Sequence, residues 1–413
     1  MNAGTLPATA LTDSPARAPA AAAVPPSPTN LDGASPATPG SLTWKPRNPR
    51  DTREESTMTN SAAPDSALAK LLAFYSPLIA EIHPDAERLR ARTHAWAQQF
   101  DLGAGSTRLT TMLAQTGADF TAHALPHASG EIAQAFSDYN AWAWFPSEFA
   151  GSGRPTSDVV ASLARWERTF RSPNSWPDAT APADIAIRDV CLRLRSLLTP
   201  VQWERFAAGQ CQWLYHMAWE ASLLEQGATL SVNDFLAMRI GSGGASAAAA
   251  FMDAAEGIEL SEQQWLRPAV RAAAEASMLA SVLDNDRYSY LRERDLPVKK
   301  LSLFDAIRHD HPDYTFEQAV IKAVAIRDRM MALYLQLRGE LLAGGDDDLG
   351  RYLTGLDRMA SGNINFAMTT GRYLLPDSPH TVTRVDKPSD PSTTPLPYPT
   401  IAWWWGTASH GDS

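Results

Sequence analysis

Two cysteines in 413 residues, Cys191 and Cys211, are too few for a disulfide framework or a cysteine-based zinc site, and they point to a reducing compartment. No run of 18 or more apolar residues occurs, so no membrane span is expected. The chain does not open with a basic segment and a strong apolar stretch. Ala20–Val24 is too short and weak for a secretory signal, and a cytoplasmic protein is expected. Cations are outnumbered, 36 Lys and Arg against 46 Asp and Glu, which argues against nucleic acid or an anionic membrane as partner. Proline is scarce in the middle of the chain: residues 67–375 hold 12 of the 30, residues 1–66 hold 11 and residues 376–413 hold 7. Ends rich in proline, alanine and serine bury too little apolar surface to offset chain entropy, so both tails are expected to be disordered. Residues 67–375 are expected to form one domain.

The N-terminal extension contains one local cluster, Trp44-Lys45-Pro46-Arg47-Asn48-Pro49-Arg50. It reads either as a solvated linker or as a docking peptide for a protein partner, and Met58 is an alternative start.

Between residues 84 and 375 apolar side chains recur every three or four positions, with no convincing alternating strand. Helix starts are marked at Thr199-Pro200, at Ser231 before Phe235–Ile240, and at Ser261 before a long helix Trp265–Glu293. Thr315 with Gln318 forms a capping box that opens Ala319–Leu342, and Gly344-Gly345 ends that helix before another starts near Asp348. The fold class expected is all-α, roughly ten helices in a single bundle.

The run Asp284-Asn285-Asp286-Arg287-Tyr288-Ser289-Tyr290-Leu291-Arg292-Glu293 carries the chemistry. A four-residue step turns an α-helix by about 40° and advances it about 6 Å, so Asn285, Ser289 and Glu293 form one stripe. All three offer oxygen, which suits a hard cation such as Mg²⁺. A polar solvent face near a helix end would look the same on the stripe alone. Two further features bear on the choice. Arg239 lies 46 residues before Asn285 and leads into Gly241-Ser242-Gly243-Gly244, a run that breaks a helix and admits close approach to its backbone. Arg372-Tyr373 closes the last core helix. Arginine forks and a metal together make a diphosphate clamp.

At these spacings the chain resembles the bacterial class I terpene synthases. The likeness covers about residues 75–375 and is strongest from Trp219-Glu220 onward. Phe235-Leu236-x-x-Arg239, Arg292-Glu293, Arg351-Tyr352-Leu353 and Gly362 fit the same family. The long extension is most similar to the 2-methylisoborneol-synthase-like branch. The resemblance implies a helical bundle around an apolar pocket, up to three Mg²⁺ ions, ionisation of a C10–C15 prenyl diphosphate and cyclisation of the resulting cation. By position, Asn285, Ser289 and Glu293 hold one Mg²⁺, Arg239 senses the diphosphate, and Arg292, Arg372 and Tyr373 hydrogen-bond it. Trp142, Phe145, Phe149, Trp219, Gly243 and Phe366 are expected in the substrate pocket, and Trp144, Trp213 and Tyr215 are further aromatic candidates. The family also suggests a homodimer. His216, His309 and His311 have no metal-ligand spacing.

The family's aspartate-rich motif is degenerate here. Phe145-Pro146 stands where the aspartate pair is expected, about 140 residues before the stripe, and proline is expected to distort the helix. Glu148 and, two turns earlier, Asp138 are the nearby acids; Asp346-Asp347-Asp348 reads as a solvated helix start. Three readings follow: a cyclase with differently held metals, a catalytically impaired prenyl-diphosphate-binding protein, or a structural or cargo protein tethered by its N-terminal tail.

Overall fold

The computed structural model describes residues 64–150, 154–175, 179–294, 300–373 and 381–408; the Trp44–Arg50 cluster and Met58 lie outside the described residues. The elements are α1 Pro64–Leu71, β1 Ala73–Tyr75, α2 Ala86–Gln99, α3 Thr107–Ala124, α4 Gly130–Ala150, α5 Thr156–Arg171, α6 Pro182–Leu197, α7 Pro200–Gln226 and α8 Val232–Ser242. They continue with α9 Ala245–Ala249, α10 Met252–Ala255, α11 Glu262–Leu266, α12 Pro268–Glu293, α13 Leu303–Asp310, α14 Phe316–Leu342, α15 Asp347–Thr369, β2 Thr383–Val385 and α16 Pro399–Thr407. The all-α expectation holds, with one short strand pair added. No described helix is long and apolar enough to cross a membrane.

Helix boundaries follow local chemistry. Thr199 with Gln202, Ser261 with Gln264 and Thr315 with Gln318 each form a reciprocal capping box, satisfying donors that the first turn leaves unpaired. The long helix expected from Trp265 is divided instead. Arg267 adopts φ −60° and ψ 126°, because the residue before a proline is pushed out of the helical region, and Pro268 opens α12. Pro146 does not end α4, which continues to Ala150. One missing backbone hydrogen bond is outweighed there by the packing of α4 between α3 and α6.

The core helices are pinned by a buried charge cluster. Arg327 of α14 donates to Asp284 Oδ2 of α12 at 2.5 Å and to the Tyr75 carbonyl of β1. Arg287 donates to the carbonyls of Leu71, Lys70 and Ala73 at 3.2, 2.9 and 2.5 Å and lies 4.1 Å from the Phe74 ring centre. Burial pushes the Arg287 guanidinium down to about 10, so it remains charged at neutral pH beside Asp284.

The expectation of a disordered C-terminal tail is corrected for residues 381–408. β2 pairs in parallel with β1, with Phe74 opposite Arg384. Arg384 donates to the Ser361 carbonyl and Asn365 Oδ1 at 2.8 and 3.1 Å. In α16, Ile401 and Trp404 are fully buried; the Trp404 indole donates to Glu275 Oε2 of α12 at 2.9 Å. The Thr400 N–H donates to Asn233 Oδ1 of α8 at 3.0 Å. High proline content masked a nine-residue helix whose large apolar side chains supply the burial that the rest of the tail lacks.

Two predictions concern stability. Trp404→Ala should cost about 3–5 kcal/mol in urea unfolding, the usual range for emptying a buried tryptophan site. Asp253 is fully buried on α10, and burial pushes its carboxyl up to about 6. It therefore binds a proton more tightly folded than unfolded: it favours the fold below about pH 4, and this contribution fades as pH rises through about 6. The stability of Asp253→Asn relative to the native chain should accordingly rise by about 2 kcal/mol between pH 4.5 and 7.5 in urea titrations.

Candidate active site

One turn of α12 serves three neighbours, because successive residues on a helix point about 100° apart. Asp284 and Arg287 face β1 and α14. Asn285 and Tyr288 line a cavity, and Asp286 faces α8.

The cavity encloses about 990 Å³, its open mouth included, and is walled by residues of α3, α4, α7, α8, α9, α12 and α15. Its aromatic lining is Phe120, Phe136, Tyr139, Trp144, Trp213 and Tyr288. α8 ends at Ser242 and the chain turns at Gly244, with φ +73°. A Cβ on Gly243 would stand 2.4 Å from Val282 Cγ1 of α12, so glycine is what allows this turn to form the wall between α8 and α12.

Arg239 lies at this wall, and Asp286 grips it from two sides. Nε donates at 2.9 and 3.1 Å to the two carboxylate oxygens, and Nη2 at 2.6 Å to Oδ1. Nη1 donates to Ser242 Oγ at 3.3 Å. Burial opposes the charge on Arg239, but the Asp286 carboxylate outweighs it and raises the pKa. Glu220 and Glu293 add negative potential at the same guanidinium.

The oxygen stripe is present in the expected register. Asn285 Nδ2 donates to Tyr288 Oη at 2.8 Å and to Tyr373 Oη at 3.4 Å, which leaves the carbonyl oxygen for another partner. Ser289 is buried; its Oγ makes no hydrogen bond of good geometry, but it lies near enough to Glu293 to favour that group's carboxylate form. Glu293 is half-buried; burial raises its carboxyl pKa, with the Lys300 charge acting in the opposite direction. A buried hydroxyl, an amide carbonyl and a carboxylate on one face are a donor set that fits a hard divalent cation.

Arg372 and Tyr373 reach the same place from just beyond α15, which ends at Thr369 rather than running through them. The Arg372 guanidinium lies 4.8 Å from the Trp144 ring centre, and its Nε donates to Tyr373 Oη at 3.3 Å. The Tyr373 ring packs 4.7 Å from Tyr288. Arg292 is half-buried beside Glu293.

Several pocket assignments need correction. Trp142 is fully buried behind the wall, packed edge-on against Trp166, Phe170 and Trp213, with its indole donating to the Ala183 carbonyl at 3.0 Å. Phe145 turns the same way, onto Trp166. Trp219 packs beside His216, away from the cavity, and Tyr215 is exposed on the surface. Phe366 stands behind the lining, edge-on to Phe120 and Tyr373. Gly243, Trp144 and Trp213 line the cavity. The Phe149 and Glu148 side chains lie outside the described residues.

The register of α4 explains these misses. Its cavity residues are Phe136, Tyr139, Asn140, Ala143 and Trp144, spaced at three and four. Positions 142 and 145 fall on the opposite face. Phe120, Phe136, Tyr139 and Tyr288 are not among the aromatic candidates read from the sequence, although the three-four spacing along α4 is a usable signal for two of them. Asp138 is excluded from the site: it accepts from Thr93, Gln134 and Arg193 at 2.8, 2.9 and 2.9 Å and ties α4 to α2 and α6. Asp346 caps α15, accepting the Leu349 N–H at 3.0 Å.

Comparison with known proteins agrees with this geometry. The family described as "Terpene synthase family 2, C-terminal metal binding" matches residues 148–332. The diterpene cyclase DtcycB of a Streptomyces species is 39% identical over 339 residues, covering 82% of this chain and 98% of its own. Bonnadiene synthase of Allokutzneria albata is 29% identical, covering 80% and 96%. The crystal structure of SVS_A2, an ancestrally reconstructed protein, superposes with a TM-score of 0.73 at 29% identity, covering 81% of this chain and 98% of that one.

The Arg239–Asp286 pair yields a stability prediction. Asp286→Ala leaves a largely buried cation unpaired and should destabilise the chain by about 3 kcal/mol or more in urea unfolding. The double variant Arg239→Met, Asp286→Leu should recover most of that loss, because neither charge is then buried alone.

Proposed function

The chain belongs to the terpene synthases, and from that membership we propose a cytoplasmic, Mg²⁺-dependent cyclase in which Asn285, Ser289 and Glu293 hold one metal ion at the cavity mouth. The observation that carries this reading is the convergence of Arg239, the Asn285 stripe and Arg372-Tyr373 on one end of an aromatic-lined cavity. When bound, the metal supplies positive charge to a departing diphosphate.

The side chains around it do the rest. Asp286 fixes the Arg239 fork, so that its remaining N–H groups meet the diphosphate without reorganisation. Arg292, Arg372 and Tyr373 add hydrogen bonds to the same group. Loss of the leaving group creates an allylic cation, and the ring faces of Phe136, Tyr139, Trp144 and Trp213 stabilise it while excluding water. In the absence of the aspartate pair, Glu148 is the acid that the sequence offers for a second metal. The likeness to a diterpene cyclase extends the substrate range from C10–C15 to C20 prenyl diphosphates. The alternatives of an impaired binding protein or a cargo protein have no comparable support.

Purified protein supplied with geranyl, farnesyl or geranylgeranyl diphosphate should release diphosphate and a cyclic product, and chelation should stop it. Glu293→Ala and Arg239→Ala should each lower diphosphate release at least about 100-fold, the scale of one lost transition-state charge contact. No release from any of the three, with Mg²⁺ or Mn²⁺, would refute the enzyme reading.

A further inference from the structure

A metal site at Asn285 requires its carboxamide to present the oxygen, not the nitrogen, to the ion. The two ends of a carboxamide are nearly equal in size, so packing alone does not choose between them. A chain of hydrogen bonds does.

The chain starts at a backbone carbonyl. Asn363 of α15 donates from Nδ2 to the Ser281 carbonyl of α12 at 2.9 Å. A carbonyl oxygen only accepts, so the Asn363 nitrogen must face it and Oδ1 must face away. That Oδ1 accepts the Tyr288 hydroxyl at 2.9 Å. A phenol has a single hydrogen, and with it spent on Asn363 the Tyr288 oxygen serves Asn285 as an acceptor. Asn285 Nδ2 donates to it at 2.8 Å and sends its second N–H to Tyr373 Oη at 3.4 Å. Both hydrogens of the Asn285 amide are then used. Reversing the Asn363 amide would set its oxygen against the Ser281 carbonyl. Reversing the Asn285 amide would set its oxygen against a hydroxyl whose hydrogen is already committed. Ser281, Tyr288 and Asn363 are buried, where two acceptors facing each other are costly. The Tyr288 ring is itself fixed by packing on Phe74 of β1 and on Tyr373, with ring centres 6.3 and 4.7 Å apart.

We infer that Tyr288 and Asn363 are positioning residues for the metal site: they lock the Asn285 amide with its oxygen toward the ion. They act through Asn285 and are not ligands themselves. The inference rests on the metal site proposed above for Asn285, Ser289 and Glu293, and it makes one ligand of that site competent before any substrate arrives. Were the two residues only ties between α12 and α15, their loss would lower stability and leave metal affinity unchanged.

The test uses the full chain with inorganic diphosphate and Mn²⁺ and reads bound Mn²⁺ by electron paramagnetic resonance, without turnover. The ion that Glu293→Ala removes is the one held by the stripe. Tyr288→Phe keeps the ring and deletes the hydroxyl; it should weaken binding of that ion at least about tenfold, the scale for losing a group that orients a metal ligand. Asn363→Leu should do the same. Asn363→Asp should stay within about threefold of the native chain, because its carboxyl still accepts the Tyr288 hydrogen. In the Asn285→Asp background the Tyr288→Phe loss should shrink to about threefold or less, since a carboxylate presents oxygen whichever way it turns. Native affinity in folded Tyr288→Phe, or an equal loss in both backgrounds, overturns the inference and leaves the metal site standing. Where Tyr288→Phe does not fold, equal affinities of Asn363→Leu and Asn363→Asp overturn it instead. No Mn²⁺ bound by the native chain, or none removed by Glu293→Ala, overturns the metal site and the inference together.

Discussion

Charges removed from water must be paired, and this protein pairs them on a single helical turn. Asp284 and Arg287 on one side of α12, and Asp286 on another, each meet a partner from a different part of the chain. Neither Arg239 nor Asp286 is tolerable alone in so dry a position, so α8 and α12 are held at one separation and one rotation. That constraint fixes the cavity wall, the glycine turn after α8 and the side of α12 that faces the cavity. The charges contribute specificity of arrangement more than net stability.

The same turn links the ends of the described chain to the site. Arg287 and Arg327 hold β1 through its carbonyls, β1 pairs with β2, and α16 then bonds both α12 and α8. Residues far apart in sequence therefore brace the two helices that carry Arg239 and the oxygen stripe. Inside, aromatic faces supply a surface that tolerates positive charge, and the polar lining side chains Asn140 and Asn363 are tied to neighbouring protein groups.

Much of the site was legible in the sequence because helical spacing alone places Asn285, Ser289 and Glu293 on one stripe, whatever the helix packs against. Capping chemistry was equally local, and Thr315 with Gln318 behaves as its residue types require. Trp142 and Phe145 were misassigned for the complementary reason. An amphipathic aromatic helix buried on both sides gives no indication of which side meets the cavity and which meets α5 and α7. The C-terminal segment failed differently: its composition is that of a disordered tail, and its order comes from Arg384, Ile401 and Trp404 finding partners more than a hundred residues away in several cases.

The amino-acid sequence by itself determined the helical class, the capped helix starts and the order of oxygen-bearing side chains along α12, since all three arise from interactions within about four residues. Tertiary structure decided which aromatic residues line the cavity, that Asp286 rather than solvent holds Arg239, and that the proline-rich end becomes a brace. These depend on which surfaces meet, and burial gives a polar group a cost or a partner only once those surfaces have closed around it.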